Sequence, residues 1–220
     1  EYVWVRVGDE YLLMAKERVD VTMQAGKVTD YEVLPDVMTG KQLEGMVFMH
    51  PFYDRKVPVI LGDHVTLEAG TGLVHTAPDH GQDDFDVCMK YEAWGLKPLG
   101  TVDGSGRYTD KVPGFEGQFV FDANVPVIKK LAEQGTLFAK STFRHQYPHC
   151  WRCKNPIIYR ATEQWFASVD GFRQKALDAI DTVKWIPSWG HDRIYNMIHD
   201  RGDWCISRQR VWGVPIPIFY

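Results

Sequence analysis

The 220-residue sequence has no long apolar run and few cysteines. No stretch approaches the ~20 consecutive apolar residues of a membrane helix, which excludes a transmembrane helical protein. The start of the chain lacks a basic segment followed by an apolar one, so no secretion signal is visible. The four cysteines, at positions 88, 150, 153 and 205, are unevenly spaced, which is not typical of a disulfide framework. We therefore expect a soluble protein of the reducing cytoplasm.

The chain begins at Glu1 rather than at a methionine, and residues 2–5 already alternate as in a strand. We expect it to be a piece of a longer protein. Its 25.3 kDa allow one large domain or two small ones. Apolar residues make up 45% and charged residues 25%, which is ordinary for a globular protein.

Charge is unevenly distributed along the chain. Residues 1–140 contain 14 Lys and Arg against 22 Asp and Glu, whereas residues 141–220 contain 11 against 7 and six of the eight Trp. A basic, aromatic segment suits nucleic acid, because cations meet phosphates and rings stack on bases. The alternative is an aromatic core with a solvated charged face, and composition alone favours it.

Periodicity predicts a mixed α/β (α+β) fold in two parts. Residues 1–141 indicate a β-rich, barrel-like domain with flanking helices, and residues 142–220 a helical and irregular return segment. The predicted strands cover 3–7, 11–14, 31–34, 45–49, 58–61, 72–75 and 214–220. The predicted helices cover 16–24, 85–94, 126–135, 172–180 and 191–200.

The densest polar cluster spans residues 70–85. Two glycines precede a short apolar strand, which ends in His75, a Pro turn, His80, and then Asp83 and Asp84 at the start of a helix. Glycines let a ligand approach the backbone, and the helix dipole favours ionised carboxylates in the first turn. A fixed, ionised Asp is a natural partner for a ligand ammonium group. The spacing matches no common zinc motif.

A purely structural explanation competes with this one. Asp79 would cap the helix, Asp83 and Asp84 would serve its dipole, and His75 would be a hydrogen-bonded core histidine.

A second cluster is the pair Cys150 and Cys153, with His145 and His149 just upstream. Two thiolates at CxxC spacing clamp one side of a tetrahedral zinc site. Cys88 and Cys205 are badly spaced to supply the other side. We expect a half-site that is completed outside this chain. A redox CxxC is the alternative, although Pro148 and Pro156 favour a knuckle.

A third cluster covers residues 203–213, with two arginines, a serine and two tryptophans. These residue types suit a phosphate or an RNA end. A packed corner with arginines stacked on tryptophans is the preferred interpretation.

These motifs resemble those of the isoleucyl-tRNA synthetase family. Residues 75–85 are similar to the signature loop of its inserted editing (CP1) domain. Residues 143–169 resemble the segment that leads back from that domain, and residues 203–220 resemble the re-entry into the Rossmann-type catalytic body. The valyl and leucyl enzymes carry a related insertion, but Gly81, Asp83 and Asp84 together with residues 210–217 favour the isoleucyl family.

The resemblance implies post-transfer editing, the hydrolysis of valine from mischarged tRNA(Ile). A synthetic site rejects a side chain one methylene smaller by only ~1–3 kcal/mol, so a second sieve is needed. Asp84 would hold the substrate ammonium and His75 would line the pocket, as the catalytic residues. The implied substrate-binding residues are Gly72, Thr76, Ala77, His80 and Asp83. A water would attack the ester, with no cofactor and no covalent nucleophile.

The resemblance also implies a partner, and it shows which features of the family this sequence lacks. The partner is the 3′ end of tRNA(Ile) carrying valine, not DNA or a membrane, and the parent enzyme is expected to be monomeric. ATP is expected only in the full-length enzyme, because HIGH-like and KMSKS-like signatures are absent here. The family's threonine-rich wall has no counterpart in this sequence. Asp79 replaces the usual Gly, and we expect its side chain to crowd the turn or change the charge of the loop.

Two alternatives to editing hydrolysis remain. One is a tRNA 3′-end-binding module that is inactive on its own. The other is a zinc-dependent nucleic-acid-binding protein.

Overall fold

In the computed structural model, which describes residues 1–142, 144–209 and 212–218, the chain opens on the predicted hairpin. Strand β1 (Tyr2–Val7) pairs antiparallel with β2 (Glu10–Ala15) across the turn at Gly8 and Asp9. Gly8 has a φ of +58°, a conformation that a glycine adopts without strain. Strand β3 (Glu32–Met38) pairs with the other side of β1, so the sheet order is β2-β1-β3.

The main apolar core lies between this sheet and helix α1 (Val19–Gly26). Alternation along the strands points one set of side chains at the helix. The members of this core are Val3, Val5, Met14, Val19 and Met23. The predicted helix at 16–24 is confirmed, and it begins with a 3-10 turn (Lys16–Arg18).

Short elements connect this core to the segment that carries the polar cluster. A capping box of Thr39 and Gln42 starts α2 (Gly40–Leu43). Strands β4 (Val47–Met49) and β5 (Lys56–Pro58) form a second antiparallel sheet. Two further helices follow, α3 (Gln82–Met89) and α4 (Asn124–Glu133), close to their predicted positions.

The predicted strand at 72–75 is wrong. Gly72 has a φ of +78°, which breaks the extended conformation, and residues 73–77 take no regular secondary structure. Within the described ranges, the apolar alternation there has no neighbouring strand to pair with. The backbone is instead anchored just before it, where the Ala15 amide donates to the Thr71 carbonyl at 2.8 Å. The cluster therefore lies on an irregular loop.

The second unit is a helical pair flanked by a minimal sheet. Helices α5 (Arg173–Thr182) and α6 (Trp189–His199) form near their predicted positions. Strands β6 (Phe166–Ala167) and β7 (Trp204–Cys205) pair antiparallel. The Arg173 guanidinium donates to the carbonyls of Ile198 and His199, which satisfies the carboxyl end of α6.

The two units divide the chain at Glu1–Ala161 and Thr162–Tyr220, later than the composition change near residue 141. Residues 142–161 belong with the first unit. The amide of Ala161 donates to the Asp79 carbonyl at 2.7 Å, and the Tyr159 carbonyl contacts His80. These long-range bonds leave no trace in local composition.

The predicted strand at 214–220 is not observed over its described part. Residues 214–218 form no strand, and Val214 is 95% exposed. The last two residues of that prediction, at 219 and 220, lie outside the described residues.

The mixed α/β class is confirmed. In the part of the chain that the structure describes, the strands form three separate small sheets, and barrel-like closure stays a prediction. Within the same described ranges, no helix is both long and apolar enough to span a bilayer.

Candidate functional site

A cleft of about 1360 Å³ in the first unit brings most of the predicted loop residues together. Both polar and apolar groups surround it, as in many ligand sites. The predicted residues that line it are Gly72, His75, Thr76, Ala77 and His80. Asp83 and Asp84 lie in the first turn of α3 and are not among its lining residues.

Gly72 is required where the loop meets the hairpin. A Cβ on Gly72 would lie 2.5 Å from the Cβ of Ala15, and the residue has positive φ. Its carbonyl accepts a hydrogen bond from the Tyr2 hydroxyl at 2.9 Å. The Arg18 guanidinium donates to the carbonyl of Gly70. The loop therefore starts from a rigid base, although its next residues are irregular.

His75 is exposed, so it is not a core histidine. A second histidine, His50, lines the same cleft and accepts hydrogen bonds at Nδ1 from the amides of Phe52 and Tyr53. Burial lowers the pKa of His50, and the charges of Arg55 and His75 lower it further. His50 is thus favoured as a neutral imidazole in this wall.

Asp79 is buried and locks the loop rather than crowding it. Its carboxylate accepts the amides of Leu99 at 2.8 Å and Gly100 at 3.2 Å. The expectation that a side chain here would crowd the turn is wrong, because the carboxylate reaches backbone donors twenty residues away. Gly81, not Asp79, is the N-cap residue of α3.

His80 is fixed at both ring nitrogens. Nδ1 donates to the Tyr159 carbonyl at 3.1 Å, because a carbonyl only accepts, and Nε2 lies 2.9 Å from the Thr101 hydroxyl. Its ring therefore contributes a shaped surface to the cleft wall and has both nitrogens occupied.

Asp84 folds back toward the amino end of α3. A Cβ on Gly81 would lie 2.7 Å from Asp84 Oδ2, so a larger residue there would displace the carboxylate from this position. The other oxygen, Oδ1, lies 4.0 Å from Nε2 of His64. Asp84 is partly buried, whereas its neighbour Asp83 is exposed. Of the two predicted carboxylates, Asp84 is therefore the less exposed one, and it faces His64.

Sequence reasoning missed His50 and His64. Both lie in segments without helical or strand periodicity, and both reach the cleft through tertiary structure. The only local signal was the presence of a His beside a Pro or Asp in a short connection. Four cations also line the cleft and were not predicted: Arg55, Lys56, Lys97 and Lys111.

The CxxC pair forms a tight knuckle. The Cys150 amide donates to the Asn155 carbonyl, and the Lys154 amide donates to the Cys150 carbonyl, both at 2.8 Å. The amide of Cys153 and then that of Arg152 lower the pKa of the Cys150 thiol. This chemistry fits half of a zinc site. No group of three or more metal-ligating side chains occurs among the residues with described positions.

The third cluster is an internally bonded corner over its described part. The Ser207 hydroxyl donates to Gln164 and accepts from the amide of Trp165. The Arg208 guanidinium donates to the carbonyls of Cys205 and Ser207. Arg201 lies over the ring of Trp204. Arg210, which the motif also includes, lies outside the described residues.

The chain belongs to the family of class I tRNA synthetases. Residues 14–220 match the family described as tRNA synthetases class I (I, L, M and V).

Several curated proteins that are similar to this chain are isoleucine--tRNA ligases. The chain is 58% identical to the isoleucine--tRNA ligase of Moorella thermoacetica, 57% to that of Desulforamulus reducens and 55% to that of Thermoanaerobacter sp. (strain X514). Each match covers 100% of this chain and 23% of the relative. The chain therefore spans about a quarter of the length of these relatives.

Proposed function

We propose that this chain is the post-transfer editing portion of an isoleucine--tRNA ligase, which hydrolyses valine from mischarged tRNA(Ile). The observation that carries the proposal is the cleft. Loop residues 72–80 and His64 line a cavity, and the carboxylate of Asp84 lies 4.0 Å from Nε2 of His64. The likeness to isoleucine--tRNA ligases supports the same assignment.

In this proposal Asp84 binds the α-ammonium group of the misattached valine. An ammonium and a carboxylate form a charge-assisted hydrogen bond, which fixes the ester relative to the loop. His75, exposed on the loop, contacts the terminal adenosine and side chain, while Thr76 and Ala77 shape the wall. His80 is held at both nitrogens and keeps that wall rigid. Gly72 allows the backbone to pass close to the hairpin.

The reaction is hydrolysis by water. A water oxygen bonds to the ester carbonyl carbon, the bond from that carbon to the ribose oxygen breaks, and a proton passes from water to the ribose oxygen. The products are free valine and tRNA with a free 3′-terminal hydroxyl. Positioning of the ester supplies much of the acceleration, because a held ester and a held water react as one unit.

The cationic residues of the cleft support a tRNA partner. Arg55, Lys56 and Lys97 line the cavity, and phosphates of a 3′ end neutralise such charges. Membrane and DNA play no part in this proposal, and a monomeric, cytoplasmic parent enzyme remains part of it. The proposal also assigns the use of ATP to the full-length enzyme only, because this sequence contains no ATP-binding signature.

A time course of ester hydrolysis tests the proposal. The chain is incubated with valyl-tRNA(Ile) and, separately, with isoleucyl-tRNA(Ile), and the remaining ester is counted. We expect rapid loss of the valyl ester, with the isoleucyl ester decaying at the rate seen without protein. Equal loss of both esters would contradict a size sieve. Loss of neither by a folded chain would contradict autonomous hydrolysis.

The second candidate function is binding of the tRNA 3′ end without catalysis. It is favoured by the size of the cleft, since about 1360 Å³ exceeds the ~300–1,000 Å³ of most small-ligand sites. In that case uncharged and valyl-tRNA(Ile) would bind with similar affinity, and neither ester would be consumed.

Zinc at Cys150 and Cys153 is a separate proposal about structure. The knuckle would hold one side of the ion, and two ligands would come from outside this chain. Zinc there would fix the loop covalently to its partner segment and takes no part in the hydrolysis.

A further inference from the structure

We propose that His64 is the positioning residue for Asp84. Its Nε2–H holds the carboxylate in the orientation that receives the substrate ammonium. The inference rests on the proposed function of Asp84, and it adds a residue that lies twenty positions earlier in the chain.

The first observation is an unsatisfied atom. Nε2 of His64 is buried and has no hydrogen-bond partner within the described part of the chain. Buried polar groups are nearly always paired, since leaving one unpaired costs about 1–3 kcal/mol. This buried nitrogen is therefore available to donate to a neighbouring carboxylate when the ring carries its proton on Nε2.

The second observation is the distance to the only carboxylate it faces at ion-pair range in the described structure. Nε2 lies 4.0 Å from Asp84 Oδ1. That gap is too long for a hydrogen bond, which needs about 2.7–3.2 Å, and a shift of about 1 Å closes it. Hydrogen bonds in catalytic sites are often long without substrate and shorten in the complex.

The third observation is the pair of glycines that make room for both groups. A Cβ on Gly62 would lie 2.6 Å from Cε1 and 2.8 Å from Nδ1 of His64. A Cβ on Gly81 would lie 2.7 Å from Asp84 Oδ2. Thus Gly62 leaves room for the imidazole and Gly81 leaves room for the carboxylate. Nε2 and Oδ1 lie 4.0 Å apart in this arrangement.

In this arrangement the carboxylate of Asp84 bonds His64 and the substrate ammonium at the same time. Oδ1 faces His64, so a bond to Nε2–H fixes the rotation of the carboxylate. The carboxylate then keeps lone pairs for the ammonium group of the ester. Without His64 the carboxylate is free to rotate, and the ester is held less well.

A double-mutant cycle tests the pairing. The ligand is valylaminoadenosine, in which an amide replaces the ester, and its Kd is measured by calorimetry for the wild type, His64→Ala, Asp84→Ala and the double variant. We expect His64→Ala to weaken binding about tenfold in the wild type and to have no further effect in Asp84→Ala. Equal losses in both backgrounds would mean that His64 only supports the fold, and would overturn the proposal.

Rescue by a conservative variant supplies a second readout. Gln places an amide N–H near the position of Nε2, so His64→Gln should recover binding and the rate of valyl ester loss to within about threefold of wild type. His199→Gln is the matched control, because His199 is an exposed histidine beside an aspartate in the second unit. No rescue by Gln, with a folded protein, would contradict the role of Nε2.

A measurement without ligand separates this inference from the proposed function. Nitrogen-15 spectra of the imidazoles report which ring nitrogen of His64 carries the proton. We expect the Nε2–H form in the wild type and a shift toward Nδ1–H in Asp84→Ala. If the chain hydrolyses no ester but this shift is seen, the proposed hydrolysis fails and the pair stands. If hydrolysis occurs and the shift is absent, the pair fails alone.

Discussion

His191 and His64 both lie near aspartates, but of these two histidines only His191 forms hydrogen bonds to them in the described structure. In the second unit, His191 bonds Asp192 through Nδ1 at 2.9 Å and Asp181 through Nε2 at 2.8 Å. In the first unit, Nε2 of His64 stops 4.0 Å from Asp84 and bonds nothing in the described structure. The completed clasp joins helices α5 and α6, whereas the incomplete pair lies beside the cleft. The bonds of His191 tie two helices together, whereas the gap between His64 and Asp84 is where we propose that a bond positions the carboxylate for a ligand.

The same contrast holds within the cleft loop. Asp79 is buried and accepts two backbone amides, while Asp84, five residues later, has one oxygen near Gly81 and the other 4.0 Å from Nε2 of His64. Asp79 therefore stabilises the fold, and Asp84 is the carboxylate that we propose for ligand binding.

The largest expected effect is that of Asp84→Ala on hydrolysis. Removing the group that binds the ammonium should slow loss of the valyl ester about 100-fold under single-turnover conditions. Asp86→Ala is the matched control, since Asp86 is exposed on the same helix and bonds only Gln82 in the described contacts. It should remain within about twofold of wild type. Similar losses in both variants would mean that α3 was disturbed as a whole.

Asp79→Ala should act on stability instead. It leaves the amides of Leu99 and Gly100 without acceptors, which should lower the free energy of unfolding of the first unit by about 2–4 kcal/mol. Urea denaturation measures the change. Asp79→Asn keeps one acceptor oxygen and should lose about half as much. An unchanged midpoint for Asp79→Ala would show that the loop is not held by this carboxylate.

The thiols of Cys150 and Cys88 are expected to differ in their reactivity toward alkylating reagents. The pKa of the Cys150 thiol is lowered by the amides of Cys153 and Arg152, whereas burial and then the charge of Asp84 raise the pKa of Cys88. Iodoacetamide should therefore modify Cys150 at least about tenfold faster than Cys88, as followed by mass spectrometry of peptides. Faster modification of Cys88 would contradict its burial.

The smallest expected effect is a pH dependence of the second unit. The pKa of His191 is raised by its hydrogen bonds to Asp192 and then to Asp181. The folded state thus holds this proton more tightly than the unfolded chain. The stability from the clasp is fully present below the unfolded pKa of 6.5 and is lost as pH rises through the raised folded pKa.

Urea midpoints of the second unit measure this dependence between about pH 6 and pH 8.5. The wild type should lose stability as pH rises, and His191→Gln should flatten the curve. His199→Gln, which alters an exposed histidine, should keep the wild-type slope. A rise in stability with pH in the wild type would reverse the assigned sign.

The sequence was sufficient for elements with strong local signals. The Gly8-Asp9 turn between alternating residues predicted the first hairpin, and apolar spacing with glycine ends predicted five helical segments near their observed positions. Residues 72–80 of the predicted cluster line one cleft because they are close in the chain, whereas Asp83 and Asp84 do not line it. The functional role of these residues stays a prediction.

What the sequence did not reveal depends on long-range contacts. The apolar alternation at 72–75 looked like a strand, but no partner strand lies beside it in the described structure. Asp79 looked like a helix cap, yet its carboxylate reaches residues 99 and 100. His64 had no motif at all, because its importance comes from a carboxylate twenty residues later. Local patterns report local structure, and a site assembled by packing is visible only in three dimensions.

The central claim is that the cleft receives the aminoacyl end of tRNA(Ile), and titration of the nitrogen-15-labelled chain with valylaminoadenosine tests it most directly. The account predicts chemical-shift changes at residues 72–80, His64 and Asp84, and much weaker ones with the isoleucyl analogue. Changes centred on residues 205–209, where a small pocket lies in the second unit, would contradict the claim.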